Sequence, residues 1–155
     1  MVRRSTDGDL SERDSKLLET LERWGWFVIK VGATGSEPAF AYSVGLYGHF
    51  NHPEIILFGL DLALMHRIIN DAARRIQQGQ RYEEGPRYDD LVEAYQCEVR
   101  RVSPRHYDGF LNYALWYYKS AQFPVLQLVW PDRTGLFPWD EGVDEAFRQK
   151  QPILS

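Results

Sequence analysis

Two nearly continuous apolar runs, AFAYSVGL (39–46) and EIILFGL (54–60), flank a loop that carries Gly45, Gly48, His49, Asn51, His52, Pro53 and Glu54. Runs of this length rich in β-branched and aromatic residues read as strands. Their lack of alternation points to central strands covered on both faces, because a solvent-facing strand shows polar residues at every second position. A sheet then delivers the polar residues between the runs to one edge. That edge is the first place to look for a site.

The rest of the chain builds outward from this pair. Residues 1–9 read as a frayed tail, and 10–155 as a single globular domain. Ser11 can cap a helix, with Asp14 at the capping-box position where Glu or Gln is usual. Leu17, Leu18, Leu21 and Trp24 follow at helical spacing, and Gly25 can end the helix. WFVIKV (26–31) reads as a strand and 32–38 as a turn. Asp61 can cap a helix over 62–78, with Leu64, Met65, Ile68, Ile69, Ala72 and Ile76 as its stripe and Gly79 as its stop. A polar loop (81–90) precedes one longer strand (91–102). Ser103-Pro104 starts a helix running to about Lys119. FPVLQLVW (123–130) is the last clear strand, followed by a turn and at most one short helix. This order predicts an α+β fold: a single mixed, mostly antiparallel sheet of about five strands with two or three helices packed against it.

Composition narrows the function classes. At 155 residues the chain suits one domain. Its net charge of −4, from 18 basic and 22 acidic residues, argues against nucleic acid, which calls for clustered positive charge. A single cysteine, Cys97, excludes an internal disulfide and fits a cytoplasmic protein; inside a strand it reads as a buried, inert thiol. No apolar run approaches the ~18 residues of a membrane span, and the polar start reads as lacking a signal peptide.

WGWFVIKV, PAFAYSVGL, HPEIILFGL, FPVLQLVWPDRTGLFPWDEG and the closing QPIL resemble the bacterial domain-of-unknown-function family 4262, over roughly Leu17 to Leu154. The resemblance implies no settled activity. It marks Tyr42, Ser43, Gly45, His52, Glu54, Trp130, Asp132, Trp139 and Asp140 as positions to watch, while His49 lies outside the family pattern.

Two constellations carry chemistry. His52 can act as a general base near neutral pH, with Ser43 or Tyr42 as nucleophile or orienting group, Asp132 or Asp140 as partner, and Glu54 in the same loop. Ser43, however, lacks a Gly-x-Ser-x-Gly elbow. His49, His52 and Glu54 have metal-ligand chemistry but no metal-site spacing, so no metal and no cofactor is expected. Gly45-x-x-Gly48 is not a phosphate loop and reads as a turn. Tyr113, Trp116 and Tyr117 on the third helix read as a contact patch or a lid over a ligand cleft, with Tyr42, His49, Trp130, Trp139 and Asp140 as further contacts.

These features favour a non-catalytic domain that recognises a protein partner or small-molecule ligand, in the manner of an immunity or antitoxin-like factor. A homodimer is compatible with them. The alternative is a small hydrolase or transferase built on His52, Glu54 and Asp132. Both readings expect the hinge between the second and third strands to share one rim of the sheet with the tryptophan-rich tail.

Overall fold

The computed structural model describes residues 11–155, so the reading of 1–9 as a tail lies outside the described residues. Ser11 Oγ accepts the Asp14 N–H at 3.0 Å and opens α1 (Glu12–Trp24), which ends where Gly25 turns left-handed at φ 94°. Asp14 does not return the capping-box bond; its carboxylate is buried, and among the described residues neither oxygen is hydrogen-bonded. The strands are β1 (Phe27–Val31), β2 (Phe40–Val44), β3 (Glu54–Phe58), β4 (Tyr88–Val92), β5 (Tyr95–Arg101) and β6 (Val125–Val129). A short helix, α2 (Leu46–Phe50), sits in the hinge, and α3 (Leu62–Gln77) follows β3, capped by Asp61.

The sheet order is β1-β2-β3-β6-β5-β4, with every neighbouring pair antiparallel except β3 and β6. This is one mixed sheet in an α+β fold, with six strands rather than five among the described residues. The sixth is β4, which lies at the end of the stretch expected to be a loop. It forms a hairpin with β5 around Glu93 and Ala94, and Ala94 takes φ 71°. Hairpin turns that need positive φ usually signal themselves with Gly or Asn; alanine hides this one.

The central strands β2, β3 and β6 are buried at every position, as the unbroken apolar runs predict. Alternate side chains feed two cores. Ala41, Ile55, Leu57 and Leu128 meet Met65, Ile69, Ala72 and Ile76 of α3 on one face. Phe40, Tyr42, Ile56 and Phe58 meet Leu17 and Leu21 of α1 on the other, together with Tyr107, Leu111 and Ala114.

The helix expected over 103–119 is broken into a 3-10 turn (Pro104–His106), α4 (Tyr107–Phe110) and α5 (Asn112–Tyr118). The break falls at Leu111, whose ψ of 43° leaves the helical region. It brings Tyr113, and not only Tyr107 and Leu111, onto the sheet. The helices among the described residues, completed by α6 (Glu145–Arg148), therefore exceed the two or three expected.

Hinge and tail do not share a rim. Because β3 and β6 run parallel, with Glu54 opposite Val125 and Leu57 opposite Leu128, both strands start at the hinge. The chain leaves β6 at the far rim, where the Trp130 indole N–H donates to the Phe58 carbonyl at 2.9 Å. Two buried glutamines tie the C-terminal segment to this central strand: Gln151 pairs with both backbone groups of Trp130, and Gln127 with Pro152 and Leu154. Among the described residues no helix is long and apolar enough to cross a membrane.

Candidate functional site

Glu54, the first residue of β3, is fully buried and meets five donors. Ser43 Oγ donates to Oε1 at 2.7 Å and the Leu46 N–H to the same oxygen at 3.2 Å. The Gly45 and Tyr47 N–H groups reach Oε2 at 2.9 and 3.2 Å, and the Tyr118 hydroxyl donates to Oε2 in a short bond. Ser43 and Tyr118 are themselves held by the Ile55 N–H at 2.9 Å and the Gly48 N–H at 3.1 Å. Burial pushes the Glu54 pKa up from the ordinary carboxylate range, and the donors from Tyr118, Ser43, Tyr47 and Gly45 pull against it. Burial beside Glu54 also raises the Tyr118 phenol, so the phenol keeps its proton and remains a donor. The carboxylate is the cap of α2. Its lone pairs are committed to holding the hinge, and Ser43 is committed to the same carboxylate.

His52 is also buried but faces away from this network. Its Nδ1 lies 2.8 Å from the Pro53 carbonyl and its Nε2 accepts the Tyr82 N–H at 3.0 Å, so the ring is neutral with its proton on Nδ1. Arg81 adds bonds to the Phe50 and Asn51 carbonyls at 3.2 and 2.6 Å. Together they pin the loop before β4 to the hinge. Burial lowers the His52 pKa below that of a free imidazole. An unfolded chain takes up a proton near pH ~6.5 and the folded one only at lower pH, so stability is full above that value and lost as pH falls through the folded pKa. Urea denaturation at pH about 7.5 and about 5.5 should therefore show His52 contributing a loss of stability on acidification. His52→Gln should reduce that slope, with His66, also lowered by burial, supplying a remainder of the same sign; a variant with an unchanged slope would place the titration elsewhere. His49 is exposed on α2, with Nδ1 3.2 Å from the Gly45 carbonyl. Among the described residues no three His, Cys, Asp or Glu side chains cluster as metal ligands.

At the far rim, Asp132 Oδ1 accepts from Thr134 Oγ1 and from the Thr134 and Leu136 N–H groups at 2.7–2.9 Å, which lowers its pKa. Asp140 caps the Phe137 N–H at 2.8 Å. Trp139 stacks on Phe137, and the Arg100 guanidinium lies 3.8 Å from its ring centroid. These residues build the turn that closes the tail. The structure thus joins Ser43 to Glu54, turns His52 to Tyr82, and places Asp132 at the other end of the strands, roughly 15 Å of extended chain away. Cys97 is buried within β5, and burial pushes its thiol up to about 12.

Tyr42 and Tyr113 meet elsewhere. The Tyr113 N–H donates to the Tyr42 hydroxyl at 3.0 Å, and both side chains line a cleft of about 830 Å³ between the β1–β2 hairpin and α4–α5. Ile29, Val31, Phe40 and Phe110 supply apolar walls, with Arg13, Glu37 and Asn112 among its polar lining. Tyr113 is buried, so it is a wall rather than part of an exposed patch; Trp116 and Tyr117 are half-buried beside it. The break at Leu111 makes this cleft, which is why helical periodicity through 103–119 conceals it. Arg13, Gly109 and Phe110 carry no sequence signal that would have singled them out as lining residues.

The sequence model of one family, described as a domain of unknown function (DUF4262), matches residues 20–144, well over half of the chain. The chain belongs to the DUF4262 family. No curated protein and no solved structure matches it. The DUF4262 segment contains the whole Glu54 network, the His52–Tyr82 bond and the sheet. It also contains the hairpin and the α4–α5 walls of the cleft, whereas Arg13, Gln149 and Pro152 line the cleft from outside the matched segment.

Proposed function

We propose that this DUF4262 chain is a non-catalytic binding domain that takes a small molecule into the cleft between the β1–β2 hairpin and α4–α5. The cleft carries the reading. Its volume falls in the range of small-molecule sites, roughly 300–1,000 Å³, and apolar walls with a few polar groups are the usual lining of such sites. The hinge supports it from the other side, since the lone pairs of Glu54 and both nitrogens of His52 are occupied in holding the fold.

Gly109 allows a clean test. It lines the cleft, and a Cβ added there meets nothing within 4 Å. Gly109→Trp should fill the mouth while leaving the fold intact. Thermal-shift screening of the full chain against a chemically diverse small-molecule set should give stabilising compounds whose shifts vanish in this variant. Compounds that stabilise both proteins equally, or a set that stabilises neither, would overturn the reading.

A further inference from the structure

Among the described residues two cations line the cleft, Arg13 and Lys30, and neither forms an ion pair. The Arg13 guanidinium lies 5.4 Å from the Tyr113 ring centroid and forms no ion pair among the described residues. The neighbouring carboxylate, Asp14, does not pair with it: among the described residues both its oxygens are buried without a hydrogen-bond partner. Lys30 borders this cleft and also a second one that contains His66, whereas Arg13 lies over the Tyr113 ring of this one. Glu37 belongs to the exposed hairpin turn, held by its backbone to Thr34. Beneath Arg13, the buried Tyr113 hydroxyl has no hydrogen-bond partner among the described residues. A planar guanidinium next to apolar walls matches a carboxylate on a hydrocarbon or aromatic body, because its fork of donors fits two carboxylate oxygens.

Resting on the cleft reading above, we infer that the ligand is an amphipathic organic acid, with its carboxylate at Arg13 and its apolar body against Ile29, Val31, Phe40 and Phe110. The test uses three probes of one skeleton on the full chain: 4-phenylbutyrate, 4-phenylbutanol and 4-phenylbutylamine, followed by chemical-shift titration. The acid should bind at least about tenfold more tightly than the alcohol and the amine, and more weakly as salt is raised. Arg13→Gln, at an exposed position, should bring the acid down to the alcohol's affinity and leave the alcohol unchanged. An alcohol or amine that binds as well as the acid, or an acid indifferent to Arg13→Gln, overturns the acid assignment while leaving the cleft reading standing. If no probe of any charge perturbs cleft resonances, the cleft reading falls and takes the assignment with it.

Discussion

Replacing Glu54 by leucine is expected to cost about 5 kcal/mol, enough to leave a domain of this size largely unfolded under mild conditions. Leucine removes every acceptor from a sealed site, so the Gly45, Leu46 and Tyr47 N–H groups and the Ser43 and Tyr118 hydroxyls all lose their common partner. At ~1 kcal/mol each, the low end for an unmet buried donor, five donors reach that total. Glu54→Gln keeps the shape and one acceptor oxygen but turns an amide N–H₂ toward groups that are themselves donors. It should cost about 2–3 kcal/mol. Urea denaturation of both variants measures the difference. A leucine variant within ~1 kcal/mol of the parent would mean that desolvating the carboxylate offsets nearly all its bonds, as happens for some buried charges.

The second large effect is at Gly45, where alanine should cost at least about 3 kcal/mol or prevent recovery of folded protein. Gly45 has φ 115°, outside the range an L-residue adopts readily, and its N–H must point at Glu54. A Cβ there would overlap the Leu21 side chain and lie 2.5 Å from the Gly25 carbonyl oxygen and 3.0 Å from the Trp26 Cα. Gly48, three residues on, is the control. It is inside α2, and its Cβ would make an ordinary contact with Tyr118 at 3.5 Å. Gly48→Ala should stay within about 1 kcal/mol of the parent and can gain from helix propensity. Equal effects at the two positions would contradict the hinge geometry.

The two glycines also show how much of the site could be read in advance. PAFAYSVGL and HPEIILFGL announced two buried strands and a polar hinge, and the hinge is where the densest polar network lies. What the residue types did not disclose is the use made of them. Ser43, His52 and Glu54 suit proton transfer by type, yet Glu54 caps a short helix and His52 clips a loop. The partners that decide this, Tyr118 and the Tyr82 N–H, come from distant stretches of chain. Spacing cannot report a contact between residues 54 and 118.

What the chain's own pattern determined was local: the caps and stripes of α1 and α3, the continuous burial of β2, β3 and β6, and the α+β class that follows from their order. Those depend on periodicity and on side-chain chemistry within a few residues. Insertion of β6 between β3 and β5 was decided only in three dimensions, because strand pairing over this separation is a competition among apolar faces of similar kind. From it follow the parallel register, the tail at the rim opposite the hinge, and the separation of Asp132 from Glu54. The break at Leu111 and the cleft beside Tyr113 belong to the same category: a buried leucine and a tyrosine N–H found better partners on the sheet than an unbroken helix would have offered.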